Sequence, residues 1–288
     1  MKLRIQLLFA VLLTATLSLS ARKYEVGTSV SLVGQITPES MAEIKAAGID
    51  HIEVTMNNFV RNQPENEVYI KAYKALKDIK EAGLKVWSVH LPFSSAWDPS
   101  ALDPVKREQS MVFFENMIAL AGIFEPEYLV LHPGADNIKD ESTRADRLKC
   151  ARNSIGRLAI AAAKINAVLC VEILPRTCPG RTAQEIDYLT ADIPNVKVCF
   201  DTNHLLIDSH DDVFEKVGDR IGTLHISDYD RVDEKHWLPL NGKGTVDWEN
   251  FCRKLKKSGY EGVFMFESRG EGVKAEDVMR VYRQMMEF

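Results

Sequence analysis

Residues 196–230 read VKVCFDTNHLLIDSHDDVFEKVGDRIGTLHISDYD. Two short apolar runs, Val196–Phe200 and Ile221–Ile226, flank a polar, helix-like segment. They end around Asp201 and His225, where a buried strand would surface. Asp201-Thr-Asn-His204 sets a carboxylate and an imidazole three residues apart just past one strand, and His225 holds the matching place on the next. Such ligands at successive strand ends point to a divalent metal.

Outward from this stretch, apolar runs alternate with helix-like segments. The strand-like runs are Tyr24–Val30, His51–Thr55, Lys85–His90, Tyr128–His132, Ala167–Ile173, Val196–Phe200, Ile221–Ile226 and Gly262–Phe266. The first helix opens at Thr37-Pro38-Glu39 and closes at Gly48, a proline-in, glycine-out signature. Further helices are expected over 68–81, 104–124, 142–166, 182–189, 212–217, 248–257 and 275–286. Eight such units in a chain of 288 residues fit a single (β/α)8 TIM barrel, which takes about 250 residues. Near-continuous apolar strands suit a parallel sheet buried on both faces. The rival, an open doubly wound sheet, gathers ligands at one switch point instead of at most strand ends, and no glycine-rich dinucleotide fingerprint follows any strand.

In a (β/α)8 barrel the chemistry sits at the C-terminal strand ends. Here those ends carry Glu53, His90, His132, Glu172, Asp201, His225 and Glu267, from strands two to eight in order. The two-residue period puts Val168, Cys170 and Glu172 on one face, likewise Lys197, Cys199 and Asp201, and Thr223 and His225. An acid ending an apolar strand is costly to bury unless paired or metal-bound, which singles out Glu172 and Glu267. Asp201 could instead cap the next helix. Glu53 could be an ion-paired structural acid, and His90 and His132 could be core imidazoles bonded to backbone. The functional reading makes Glu53, His90, His132, His204 and His236 substrate contacts. Glu172, Asp201, His225 and Glu267 together suit Mn²⁺, Co²⁺ or Mg²⁺, with Zn²⁺ not excluded, and leave open positions for two substrate oxygens. The metal would stabilise an enediolate, with Glu172 and Glu267 removing and returning the proton.

Composition sets the bounds. The net charge is -5, and no basic run favours nucleic acid or an anionic membrane. Residues 1–21 resemble a signal peptide: Lys2 and Arg4, an apolar Leu7–Leu13, then small polar residues up to Ala21. The mature chain, 22–288, is expected to be exported, periplasmic or extracellular, with no membrane attachment after cleavage. The apolar part is too short for a confident span. The five cysteines show no paired spacing, so no disulfide scaffold is indicated, and Cys170 and Cys199 read as small core residues. Trp87, Trp97 and Trp237 are candidates to line a sugar site, with core packing the alternative for Trp87. The sequence allows a homo-oligomer without fixing one.

The stretches GIDHIEVT, SVHLPF, LVLHPG, LCVEILPR, FDTNH, HISDYD, DEKHWLPLNGKGTVDW and FMFES, in this order, resemble the xylose-isomerase-like barrel superfamily from about Tyr24 onward. That superfamily includes ketose 3-epimerases, hydroxypyruvate isomerase, inosose dehydratase and endonuclease IV-type enzymes. The resemblance implies Glu172, Asp201, His225 and Glu267 as metal ligands, Glu172 and Glu267 as the acid–base pair, and His204 and Arg231 near the substrate oxygens. Ketose 3-epimerases carry a further Glu six residues after the first; here that place is Cys178. The endonuclease branch has histidines where His90 and His132 stand, plus a third metal position using an Asp-x-His pair after the seventh strand. The local Asp233-Glu-Lys-His236 departs from that spacing, and the acidic balance also speaks against a phosphate backbone.

The expectation is therefore a divalent-metal-dependent sugar isomerase or epimerase on an unphosphorylated sugar or keto-sugar. Its runner-up is a β-eliminating lyase on 3-keto-glycosides, with His90, His132 or His236 as proton donor to the leaving oxygen. A catalytically silent sugar-binding protein is the alternative from another class.

Overall fold

A computed structural model describes residues 24–288 except Asn62, Asp136 and Glu271. The expected signal peptide, residues 1–21, lies outside the described residues. Eight parallel strands run as β1 Val26–Ser29, β2 His51–Thr55, β3 Lys85–His90, β4 Tyr128–Leu131, β5 Val168–Glu172, β6 Val196–Asp201, β7 Ile221–His225 and β8 Phe264–Phe266. Their order is β7-β6-β5-β4-β3-β2-β1-β8. The ring meets at Ile226 and Phe266: the Ile226 N–H donates to Met265 O at 2.9 Å, and the Glu267 N–H to Ile226 O at 3.1 Å. The chain is a (β/α)8 barrel, as the alternation predicts.

Nine helices surround it among the described residues: α1 Pro38–Ala46, α2 Asn57–Val60, α3 Glu65–Glu81, α4 Pro104–Ala121, α5 Arg144–Ala163, α6 Ala183–Thr190, α7 His210–Val217, α8 Trp248–Ser258 and α9 Ala275–Met286. Side-chain caps fix several starts. Thr37 and Ser40 form a reciprocal box at α1 with Pro38 behind it, and Asp103, Thr182, Ser209 and Asp247 accept backbone N–H groups at α4, α6, α7 and α8. Ser209 starts α7 two residues before the expected Asp212, because its oxygen takes the Asp212 N–H. The expected helix to Phe124 stops at Ala121 and tightens into a 3-10 turn. No helix among the described residues is long and apolar enough to cross a membrane.

The main core lies between sheet and helices. Phe200 of β6 is fully buried against Phe214 of α7 and Phe251 of α8, with centroids 5.1 and 5.6 Å away. Burying such a ring contributes about 1.5–3 kcal/mol. A separate cluster, Val130, Cys170 and Cys199 against Tyr128, fills the barrel interior. This confirms both cysteines as core residues, and burial pushes their thiols up, away from reactivity. Below them the Trp87 Nε1–H donates to Thr223 Oγ1 at 3.1 Å. With the middle of the barrel packed, the inward polar residues at the C-terminal strand ends gather at the mouth.

Candidate active site and metal centre

The last inward positions of β5, β6 and β7 are Glu172, Asp201 and His225, paired in register as Glu172–Cys199 and Asp201–His225. Glu267 follows β8 directly. The structure brings these four together: one ligand atom from each lies within 4.8 Å of the others. Asp201 and His225 have no exposed surface and Glu172 has 1%. His225 Nδ1 faces Glu267 Oε2 at 3.1 Å, Glu172 Oε1 at 3.2 Å and Asp201 Oδ2 at 3.7 Å.

Glu53 lies behind this centre. The sequence offers it as a substrate contact, but the structure places it fully buried, with Oε2 3.0 Å from His225 Nε2 and accepting a 2.7 Å hydrogen bond from Ser88 Oγ. The register shift between β2 and β3 leaves Trp87 unpaired and sets Ser88 opposite Glu53. Its carboxylate holds the proton on Nε2, leaving the Nδ1 lone pair for the cluster. Asp201 Oδ2 and Glu267 Oε2 are buried without a hydrogen bond. Buried, unbonded carboxylate oxygens converging on an imidazole lone pair are the donor set a hard or borderline divalent cation needs, so these residues fit one.

Two further clusters flank the first: His90, His132 and Glu172, and His204, Glu234 and His236. Glu172 divides its oxygens, Oε1 toward His225 and Oε2 toward His90 at 3.1 Å and His132 at 2.9 Å. The His90 Nδ1–H donates to Leu91 O at 2.9 Å and the His204 Nδ1–H to Ile173 O at 2.8 Å. Both rings therefore aim Nε2 at a carboxylate, His90 at Glu172 and His204 at Glu234 Oε2, 3.3 Å away. In the loop after β7, Arg176 pairs with both Asp233, at 2.8 Å, and Glu234, at 3.1 Å, and Glu234, two residues before His236, also faces His204.

Charge stabilises these groups in pairs. Burial works to raise Glu172 and Glu267, but the neighbouring imidazoles outweigh it and hold both low. Burial likewise works against the His204 imidazolium, yet Asp201, Glu234 and Glu172 lift it to about 10. The His204 hydrogen bond takes Glu234 to about 2. His132, against whose charge burial prevails, is lowered, and Asp201 is raised by burial.

A cavity of about 220 Å³ opens above the centre. Its polar walls include His90, His132, Glu172, His204, Glu234, His236, Glu267, Asn137 and Arg176, and Phe93, Leu174 and Pro175 supply apolar surface. Larger hollows at the other end of the barrel, of about 390 and 350 Å³, have no such converging ligand set. The Phe93 ring stacks on His132 at 4.6 Å, so it, and none of Trp87, Trp97 or Trp237, is the aromatic wall. Trp87 belongs to the barrel interior. Arg231 is exposed, at φ 62°, and is not among the cavity's lining residues. Sequence reasoning missed Phe93, Asn137, Arg176, Glu234 and Arg269. Of these, Phe93, Arg176 and Glu234 carried a signal, as members of the stretches SVHLPF, LCVEILPR and DEKHWLPLNGKGTVDW.

Comparison with known proteins agrees with this architecture. The chain is 24% identical over 243 residues to D-psicose 3-epimerase of Enterocloster bolteae, covering 79% of this chain and 75% of that protein. It is 27% identical over 209 residues to ketose 3-epimerase of Arthrobacter globiformis, 70% of each. The crystal structure of 3-keto-D-glucoside 4-epimerase from E. coli superposes with a TM-score of 0.70 at 19% identity, over 92% of this chain and all of that one. The family profile described as xylose isomerase-like TIM barrel matches residues 41–288. With that match, a barrel closed at Ile226 and Phe266, and acids and imidazoles crowding its mouth, the chain belongs to the xylose isomerase-like TIM barrel family.

Proposed function

We propose that this protein is a divalent-cation-dependent isomerase or epimerase of an unphosphorylated sugar or keto-sugar, acting by proton abstraction beside a carbonyl. One observation carries the reading: Glu172 and Glu267 both line the cavity and both belong to the cluster of four ligand groups. They reach it from β5 and from the end of β8, so a small substrate between them meets a carboxylate from two directions. One carboxylate takes the C–H proton and the other returns it. Glu172, Asp201, His225 and Glu267 would hold Mn²⁺, Co²⁺, Mg²⁺ or Zn²⁺, which supplies Lewis-acid polarisation of the carbonyl. Glu53 orients His225, and Phe93, Leu174 and Pro175 keep water off the reacting carbon. The sugar epimerases among the relatives support a carbohydrate substrate. Incubating the Mn²⁺-loaded protein with D-psicose, D-fructose or a 3-keto-glucoside in D₂O tests this. Deuterium beside the carbonyl is expected; its absence from all three sugars overturns the reading.

A lyase on 3-keto-glycosides has its own support. His90 and His132 flank Glu172, and His236 lies beside Glu267, so a proton donor to a leaving oxygen is at hand. The structural likeness to a 3-keto-D-glucoside epimerase makes such glycosides worth testing. Release of the aglycone separates the lyase from the epimerase. The neighbouring cluster of His204, Glu234 and His236 raises a third reading, metal-assisted phosphodiester cleavage, which the net charge of -5 opposes. Three tightly held ions per chain with cleavage of abasic DNA would favour it over the sugar reading. Export is part of the proposal, and N-terminal sequencing of the protein from its native host checks cleavage near Ala21.

A further inference from the structure

His236 stands in a left-handed backbone conformation, φ 52°, which is strained for a residue that carries a Cβ. Such a conformation persists only where the surroundings over-determine it. Its ring nitrogen Nδ1 lies 3.7 Å from Glu267 Oε2 and 3.3 Å from Glu267 O. The residue sits in the long loop between β7 and α8, which has no helix of its own. That loop is tied down on both sides of His236. Trp237 and Asp228 exchange backbone hydrogen bonds of 2.7 and 3.0 Å, and the Arg269 N–H donates to His236 O at 2.8 Å.

The third tie is a side chain from another strand end. Asn203 Oδ1 accepts both the Lys235 N–H at 2.9 Å and the His236 N–H at 3.0 Å. Two backbone donors on one oxygen fix the amide's orientation. Asn203 is fully buried, and its own N–H donates to Asp201 Oδ1 at 2.7 Å, so the clamp is rooted beside a candidate metal ligand. Its Nδ2 is buried with no hydrogen-bond partner among the described residues. Burying an unsatisfied donor is unfavourable, so the oxygen's two bonds must offset it.

We infer that Asn203 is a positioning residue: its amide oxygen holds the strained backbone of His236 so that the imidazole stays against Glu267. Without that oxygen, φ at residue 236 relaxes and the ring leaves Glu267. The inference deepens the proton-transfer reading of Glu267 and rests on it for its catalytic consequence. Asn203→Asp keeps an oxygen able to take both N–H groups, whereas Asn203→Ala does not.

A double-mutant cycle tests it, read as Mn²⁺-dependent deuterium uptake by D-psicose. N203A and H236A are each expected to slow uptake about 10- to 100-fold, the range a small misplacement costs. The double variant should be no slower than the slower single, and N203D should retain most of the rate. Additive losses overturn the proposal, as does an N203D as slow as N203A. If the natural sequence takes up no deuterium, the proton-transfer reading fails separately. The clamp is then decided by the His236 ring resonance in the Mg²⁺-loaded protein, identified with H236A. A shift in N203A but not in N203D supports the clamp, and an unmoved resonance in N203A refutes it. Should N203A not fold, N203S, also too short to reach both N–H groups, replaces it.

Discussion

His225 Nε2 lies 3.0 Å from Glu53 Oε2, and neither side chain has exposed surface. An acid there has no route to substrate, so its effect must pass through the imidazole. Glu53→Gln should weaken Mn²⁺ binding about 10- to 100-fold, the usual cost of losing a partner behind a metal-binding histidine. Competition with a fluorescent chelator measures this. Unchanged affinity would mean that His225 is oriented by something else.

Glu172→Gln and Glu267→Gln keep size but exchange one acceptor oxygen for an NH2 donor and remove the base. Each should slow deuterium exchange beside the carbonyl by about 10²- to 10⁴-fold. Both carboxylates are also candidate ligands, so the ion content of each variant must be measured alongside. Full exchange by either variant would remove that residue from the acid–base pair.

How much of this was legible differs by residue. Glu172, Asp201 and His225 stand at strand ends, where a period of two and an apolar run dictate both the face and the exit point. Glu53 shows the limit: the same reading places it at the mouth end of its strand, but its depth depends on its partners across the barrel, Ser88 and His225, which no strand period reveals. Glu234, Arg176 and Arg269 sit in loops, which have no period to read. There a single backbone choice, such as the positive φ of Arg176 and His236, decides which neighbour faces in.

The barrel interior beneath the site is closely packed where the side chain of residue 222 would point. A Cβ on Gly222 would lie 2.6 Å from Cys170 Sγ, 2.9 Å from Tyr128 Cε1 and 3.0 Å from Lys197 Cβ. Gly222→Ala should therefore destabilise the fold by about 1–3 kcal/mol. Adding Cys170→Ala should recover part of the loss by removing the nearest atom. Denaturant midpoints check both, and a neutral Gly222→Ala would contradict the tight interior.

His210 opens α7, packed among Phe200, Tyr229 and Phe251, and its Nε2–H donates to Thr202 O at 2.9 Å. Burial lowers its pKa from 6.5 to about 4. Between those values the unfolded chain binds a proton that the folded chain refuses, so stability rises with pH there. The contribution is fully present above pH 6.5 and is lost as pH falls toward about 4. His210→Gln should flatten that slope in urea titrations run from pH 4 to 7, and an unchanged slope would place its origin elsewhere.

The central claim is that one divalent cation is held by side chains from β5, β6, β7 and the end of β8. Anomalous diffraction at the manganese edge, from crystals of the Mn²⁺-loaded protein, tests it most directly. The expected result is a peak within bonding distance of Glu172, Asp201, His225 and Glu267, whatever further peaks the flanking clusters give. A map with no peak among those four side chains, in crystals whose flanking clusters or surface do bind Mn²⁺, would contradict it.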